Sequence, residues 1–233
     1  MLTIRYPNIY PILFIILSVS FVYADVLTIE DFDSYADTSS MQANVTTFGA
    51  AAQVGVPSLA IGSGIENTNA AHILLTWEHG NNANLSLTNL NPAAQKLSEG
   101  SSIQSSVYLE TATGHSAAAS PTCVKLAIEG GNATIWQTKP QFAVQPRPGA
   151  FYQLAFNVSS TDMENISGTD ETFAETIANV RSIRFRFEND VQAGVFEDAY
   201  IDSIVSVTTP ESKPSTGTII QFGIINLPKL LRN

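Results

Sequence analysis

The chain has a single cysteine, Cys123, so no internal disulfide can form and a disulfide-stapled scaffold is excluded. Its 233 residues must be held by a hydrophobic core, with a bound metal as the other available means. Basic residues are scarce too, 11 Lys and Arg against 21 Asp and Glu, for a formal net charge of −10. Nucleic-acid binders carry basic patches, and anionic lipid recruits clustered Lys and Arg, so neither partner is expected. Charged residues of both signs make up only 14% of the chain. Ser, Thr, Asn, Ala and Gly are plentiful instead, the composition of a solvated β protein rather than a helical bundle. The three histidines, His72, His79 and His115, are scattered. There is no Gly-x-Ser-x-Gly, His-Glu-x-x-His or Walker loop. No spacing singles out two acids as the carboxylate pair a glycosidase needs. An enzyme is therefore not expected, and no internal repeat is visible.

Long apolar runs are missing as well. The one apolar run before the body, Ile12 to Val22, follows a start whose sole charge is Arg5 and precedes Tyr23-Ala24. It is shorter than the ~20 residues a membrane span requires. A positive start, an apolar centre and a small residue before Asp25 read as a secretory signal peptide over 1–24. The expected layout is then a signal peptide (1–24), a globular body (25–208) and a polar linker with a short apolar, basic-ended tail (209–233). Bacterial sorting tails share that layout, but the apolar run is too short and interrupted to span. An exported protein of about 209 mature residues, extracellular or attached at a cell surface, is expected. Export without disulfides leans towards a bacterial source. Five Asn-x-Ser/Thr triplets, at Asn44, Asn84, Asn132, Asn157 and Asn165, would arise by chance in so Asn-rich a chain.

The body shows period-two hydrophobic runs broken by Gly, Asn and Pro clusters, which predicts antiparallel strands. Strands are expected at 26–32, 72–78, 102–110, 122–129, 133–138, 150–158, 180–188 and 197–207. Gly130-Gly131 predicts a tight hairpin. Short helical turns are expected at 91–97 and at 170–178, the latter with acidic residues at its start. Alternation sorts the faces. Ile103, Val107 and Leu109 point inward, as do Val124, Leu126 and Ile128, and Ile183, Phe185 and Phe187. Trp77, aligned with Ile73 and Leu75, reads as core, and Tyr152 with it.

Three segments carry a family resemblance. Asp31-Phe-Asp-Ser-Tyr35, Val180-Arg-Ser-Ile-Arg-Phe-Arg-Phe187 and Ala199-Tyr-Ile-Asp-Ser-Ile204 resemble the galactose-binding-domain-like jelly rolls, to which many carbohydrate-binding modules belong. The resemblance implies a single all-β antiparallel sandwich whose first and last strands meet. It also implies a structural Ca2+ tying those strands together, with Asp33 and Asp202 as ligands and Glu30 and Asp31 as neighbours. Calcium takes six to eight oxygens, and acids from two chain ends repel unless something positive lies between them. The alternative for these acids is solvated strand-edge residues.

Sugars stack their C–H faces on flat aromatics while polar side chains take the hydroxyls. Alternation places Trp136, with Thr134 and Thr138, and Tyr108, with Gln104 and Glu110, on wet faces, so both are candidate platforms; the alternative for each is a core or inter-sheet position. Gln104, Arg184 and Arg186 are the candidate polar partners; the alternative for Arg184 and Arg186 is a charge-paired surface with Glu188. The function expected is non-catalytic binding of a polysaccharide or glycan by a monomer. The alternatives are a structural or adhesive protein that contacts other proteins and, further off, a polysaccharide lyase or glycoside hydrolase.

Overall fold

The computed structural model describes residues 24–49, 55–77, 81–116, 120–147, 149–189 and 195–208. The expected signal peptide up to residue 23, residues 78–80 and the tail from 209 lie outside them. In chain order the elements are β1 (Asp25–Glu30), α1 (Thr38–Gln42), β2 (Val45–Phe48), β3 (Ser58–Ala60), β4 (Ala70–Trp77), β5 (Asn81–Leu87) and β6 (Ser101–Thr111). There follow β7 (Thr122–Gly130), β8 (Ile135–Thr138), β9 (Phe142–Val144), β10 (Tyr152–Val158), β11 (Met163–Ser167), α2 (Phe173–Ala178), β12 (Val180–Asn189) and β13 (Val195–Thr208). They form two antiparallel sheets, an all-β sandwich as expected. One runs β10-β6-β13-β4-β3, with β1 beside the second half of β13; the other runs β11-β8-β7-β12-β5-β2, with β9 beside β7. First and last strands do meet, Asp25 opposite Thr208.

The core lies between the sheets, and strand alternation builds it. Ile73, Leu75 and Trp77 of β4, Ile103, Val107 and Leu109 of β6, and Phe185 and Phe187 of β12 are fully buried. Each such side chain contributes roughly 1.5–3 kcal/mol on burial. The expected hairpin forms between β7 and β8, where Gly130 N–H donates to Thr134 O at 2.9 Å and Ala133 takes φ +60°. A helix forms within the predicted 170–178 segment. Thr172 caps it, with Glu175 reaching back in a reciprocal capping box, and Phe173 and Ile177 are buried beneath. At 91–97 the chain makes one tight turn that does not extend into a helix: Gln95 N–H donates to Asn91 O at 3.1 Å, and Asn91 Oδ1 accepts from Ala94 N at 2.8 Å.

β2, β3, β5, β9 and β11 are additional to the expected strands. β5 is the informative one. Ala83, Leu85 and Leu87 alternate inward against Asn82, Asn84 and Ser86, but Asn and Ser have low strand propensity and read as loop. Pairing with β12 along seven registered positions overrides that propensity.

At one end of the core a polar chain joins the sheets. Glu197 of β13 is fully buried. Its Oε2 accepts from Trp77 Nε1 at 2.7 Å and from Thr122 Oγ1 at 2.6 Å, and Asn189 Nδ2 donates to Thr122 Oγ1 at 2.7 Å. Glu197 Oε1 and Asn189 Oδ1 have no donor. Burial raises the Glu197 pKa, against the lowering effect of its Thr122 and Trp77 bonds. A raised carboxyl contributes stability that is complete below the unfolded value and is lost as pH rises through the folded one. Glu197→Gln keeps the acceptor for Trp77 and Thr122 and carries no such loss. The melting temperature of the variant is expected to gain on the wild type as pH rises above the ordinary carboxylate value; a pH-independent gap would show that Glu197 is ionised throughout.

Candidate functional site

The outer face of the seven-stranded sheet carries a groove of about 430 Å³. Strand β12 is central there, between β7 and β5. Because Ile183, Phe185 and Phe187 point inward, Ser182, Arg184, Arg186 and Glu188 point outward. Opposite Ser182 in β7 stands Glu129. Arg184 Nη2 pairs with Glu129 Oε2, and Ser182 Oγ donates to the same oxygen at 2.9 Å. Arg181 Nη1 lies 3.7 Å from Glu129 Oε1. Burial draws the Arg184 pKa below its ordinary value. The groove's far wall comes from β2 and β5, with Thr46, Ser86 and Phe48. Phe48 is 43% exposed, and the Arg184 guanidinium sits 4.8 Å from its ring centroid.

Further along β12, Arg186 Nη1 donates to Gln137 Oε1 at 3.1 Å. Arg186 Nε lies 2.6 Å from Glu188 Oε1, off the line of its N–H. Lys125 Nζ lies 3.2 Å from Glu188 Oε2. Arg184 and Arg186 thus share one outer face, as alternation predicted, and Glu188 is paired there.

Tyr108 and Gln104 stand on the opposite surface, the outer face of the six-stranded sheet. There Phe151, just before β10, and Tyr108, Tyr200 and His72 on β6, β13 and β4 form a row, with neighbouring centroids 5.5, 5.3 and 4.8 Å apart. The two tyrosine rings are within 23° of parallel. The Tyr108 hydroxyl donates to Glu110 Oε2, and that of Tyr200 donates to Glu110 Oε1 at 3.3 Å. Burial, then the Glu110 and Asp198 charges, push the Tyr200 pKa up to about 12. These ring faces turn towards one another and their hydroxyls are engaged, so the row presents mainly edges to solvent.

The same face joins Ser58, His72 and Asp198. Ser58 Oγ lies 3.0 Å from His72 Nδ1, and His72 Nε2 lies 2.7 Å from Asp198 Oδ1. Sequence spacing gave no hint of this, since the three are neighbours only through strand pairing. An acyl-transfer serine also needs free N–H donors for the oxyanion. The N–H following Ser58, that of Leu59, is already bonded to Thr38 Oγ1 at 3.1 Å.

Trp136 occupies neither face. It pairs with Ile128 and points inward with it, and its ring meets Phe173 edge-on at 5.2 Å. Its expected wet-face position is corrected by the register of the β7–β8 hairpin and by the buried Thr134 and Thr138. Helix α2 packs over the ring on that same side. Of the five candidate ligand-binding residues, two lie on each outer face and one lies inside. Phe48 was missed because β2 is only four residues long; its signal is the alternation of Val45 and Thr47 inward with Thr46 and Phe48 outward.

The three candidate calcium ligands do not converge. Asp202 is fully buried at a bulge in β13, and its Oδ2 accepts from Ile65 N and Thr68 Oγ1, each at 2.9 Å. Asp33 Oδ1 accepts from Asn69 N at 2.7 Å. Glu30 accepts from Phe32 N at 3.0 Å and from the Tyr35 hydroxyl at 2.7 Å. Hydrogen-bond donors of the 64–69 segment therefore stand where a cation would answer Asp33 and Asp202. A side chain at Gly64 would reach within 2.7 Å of Asp202 Oδ2. No three metal-ligating side chains gather among the described residues, so the residues as arranged do not fit a calcium ion.

No protein-family model and no curated protein sequence matches the chain. Solved structures do. A family 11 carbohydrate-binding module of the cellulosomal cellulase Lic26A-Cel5E of Clostridium thermocellum superposes with a TM-score of 0.52 at 14% identity, over 81% of this chain and 96% of that one. A family 11 module from the same organism, in complex with a β-1,3-1,4-mixed-linked tetrasaccharide, gives 0.53 at 12% identity over 82% and 98%. Part of a β-1,2-glucanase from Parabacteroides distasonis gives 0.50 at 14% identity, over 80% of this chain and 25% of that one. The fold is that of the carbohydrate-binding β-sandwiches, as the resemblance implied. Among the described residues no helix is long and apolar enough to cross a membrane.

Two measurements check the placements. Trp136→Ala removes a packed ring, so it is expected to cost roughly 2–3 kcal/mol of stability, towards the low end for a half-buried aromatic. An unchanged melting temperature would return Trp136 to the surface. Calcium at millimolar concentration is expected to leave the melting temperature within about 1 °C of its value in chelator, whereas a bound ion at 100 times its Kd would add ~2.7 kcal/mol.

Proposed function

We propose that the protein is a secreted, non-catalytic polysaccharide-binding β-sandwich whose ligand lies in the groove across β12, β5 and β2. The observation that carries this reading is the groove itself. It combines hydroxyl, amide, carboxylate and guanidinium groups with one exposed aromatic ring, Phe48, on an otherwise polar floor. Sugar hydroxyls find donors in Arg181 and Arg184 and acceptors in Glu129 and Ser182. The ring of Phe48 gives a C–H face something apolar to cover. Neighbouring folds that bind glycans support the reading, and so does the signal-peptide-like sequence over 1–24.

The non-catalytic part rests on the groove's acids. Glycoside hydrolysis uses two carboxylates either side of the scissile bond. Among the described residues that line the groove, Glu129 is the one acid, and it is held by Arg181, Arg184 and Ser182.

Phe48→Ala is the cleanest test, because an exposed ring can be removed without opening the core. Affinity for the best polysaccharide in a screen is expected to fall roughly threefold to tenfold, the range for one aromatic stacking contact, at an unchanged melting temperature. Full affinity in Phe48→Ala would move the site off this face. Failure of the folded wild-type protein to bind any glycan would remove the reading and leave a protein-contacting role.

A further inference from the structure

The groove's charge is at odds with the rest of the chain. Formal net charge is −10, yet β7 and β12 turn Lys125, Arg181, Arg184 and Arg186 to this one face, four of the chain's 11 basic residues. Two acids answer them, and each is shared. Glu129 serves Arg181 and Arg184, while Glu188 serves Lys125 and Arg186. Each cluster therefore holds two cations over one carboxylate and keeps a surplus positive charge. Glu164 faces the same way only from the edge strand β11, opposite Gln137.

These cations are not merely a solvated fringe. The side chain of Arg184 is 16% exposed and that of Lys125 18% exposed, so their charge acts where water screens it less. Arg181, 64% exposed at the groove's mouth, retains most of its N–H groups for an incoming ligand. A neutral glycan needs hydrogen-bonding partners but does not compensate surplus charge. A planar carboxylate does, and guanidinium binds it through two parallel N–H bonds.

Resting on the carbohydrate-binding reading of the groove, the geometry points to an acidic polysaccharide, one whose sugar rings carry carboxylates, as the ligand class. Arg181 takes the first carboxylate at the mouth. The Lys125–Arg186–Glu188 cluster, two residues and about 7 Å beyond Arg184 along the strand, meets the next part of the polymer.

The test is affinity electrophoresis and calorimetry of the full-length protein, in chelator so that calcium cannot bridge it to a polyanion. The probes are polygalacturonate, its methyl ester, dextran sulfate and a neutral mixed-linkage β-glucan. Polygalacturonate is expected to bind about tenfold or more tightly than its methyl ester, the usual cost of losing one charge-assisted pair. Arg181→Gln should lose several-fold on polygalacturonate without a change in melting temperature, and Arg181→Lys should recover part of it. Equal binding of acid and ester, preference for the neutral glucan, or binding of dextran sulfate alone would each overturn the carboxylate assignment while leaving a carbohydrate-binding groove. An Arg181→Gln variant with full affinity would overturn it too. Binding to none of the four would count against the inference, and the broader glycan screen would then decide whether the carbohydrate reading falls as well.

Discussion

Everything on the outer face of the larger sheet depends on the alternation of β12. The strand is flanked on both sides, so its backbone polar groups are spent on β7 and β5 and its register is fixed along its length. With Ile183, Phe185 and Phe187 driven into the core, the intervening residues have only one place to go. A one-residue slip would bury two arginines and expose two phenylalanines, a change far costlier than any surface contact could offset. The polar floor of the groove is thus held in position by the hydrophobic effect acting on its neighbours, and the ion pairs on it refine an arrangement the core has already imposed.

Much of this was legible in the sequence. The long strands with clean alternation, β4, β6, β7, β10, β12 and β13, follow directly from period-two patterning, and so does the shared face of Arg184 and Arg186. The short and polar strands were not legible, because β2 has too few residues to show a period and the Asn and Ser of β5 suit a loop equally well. Trp136 shows the harder limit. Its neighbours Thr134 and Thr138 look wet, yet small hydroxyl residues at a hairpin are easily buried, and a helix more than thirty residues away in sequence covers the ring. Ser58, His72 and Asp198 are likewise brought together by pairing between distant strands, which local sequence does not encode.

The two outer faces differ in what they have left to offer. On the smaller sheet the aromatic rings pair with one another, both phenols share Glu110, and the Asp198–His72–Ser58 line is closed upon itself. Its groups have largely satisfied each other. On the larger sheet an aromatic ring stands exposed, and each acid must satisfy two cations. A binding surface needs such unsatisfied capacity, and composition alone does not reveal it. The same contrast holds near the meeting of β1 and β13, where the sequence resemblance implied a cation and the 64–69 segment offers Asp202 an amide and a hydroxyl.

The pairing of β1 with β13 also fixes how the body would carry a load. Asp25 and Thr208 sit opposite each other at one end of an antiparallel pair. Tension applied through both chain ends would pull on the outermost hydrogen bond first and pass to the next only after it breaks. That is peeling rather than shearing, and it sets resistance by single bonds instead of by the whole strand. A polymer seated in the groove lies on the opposite sheet, away from that seam, so holding it would do nothing to reinforce the point at which the body opens.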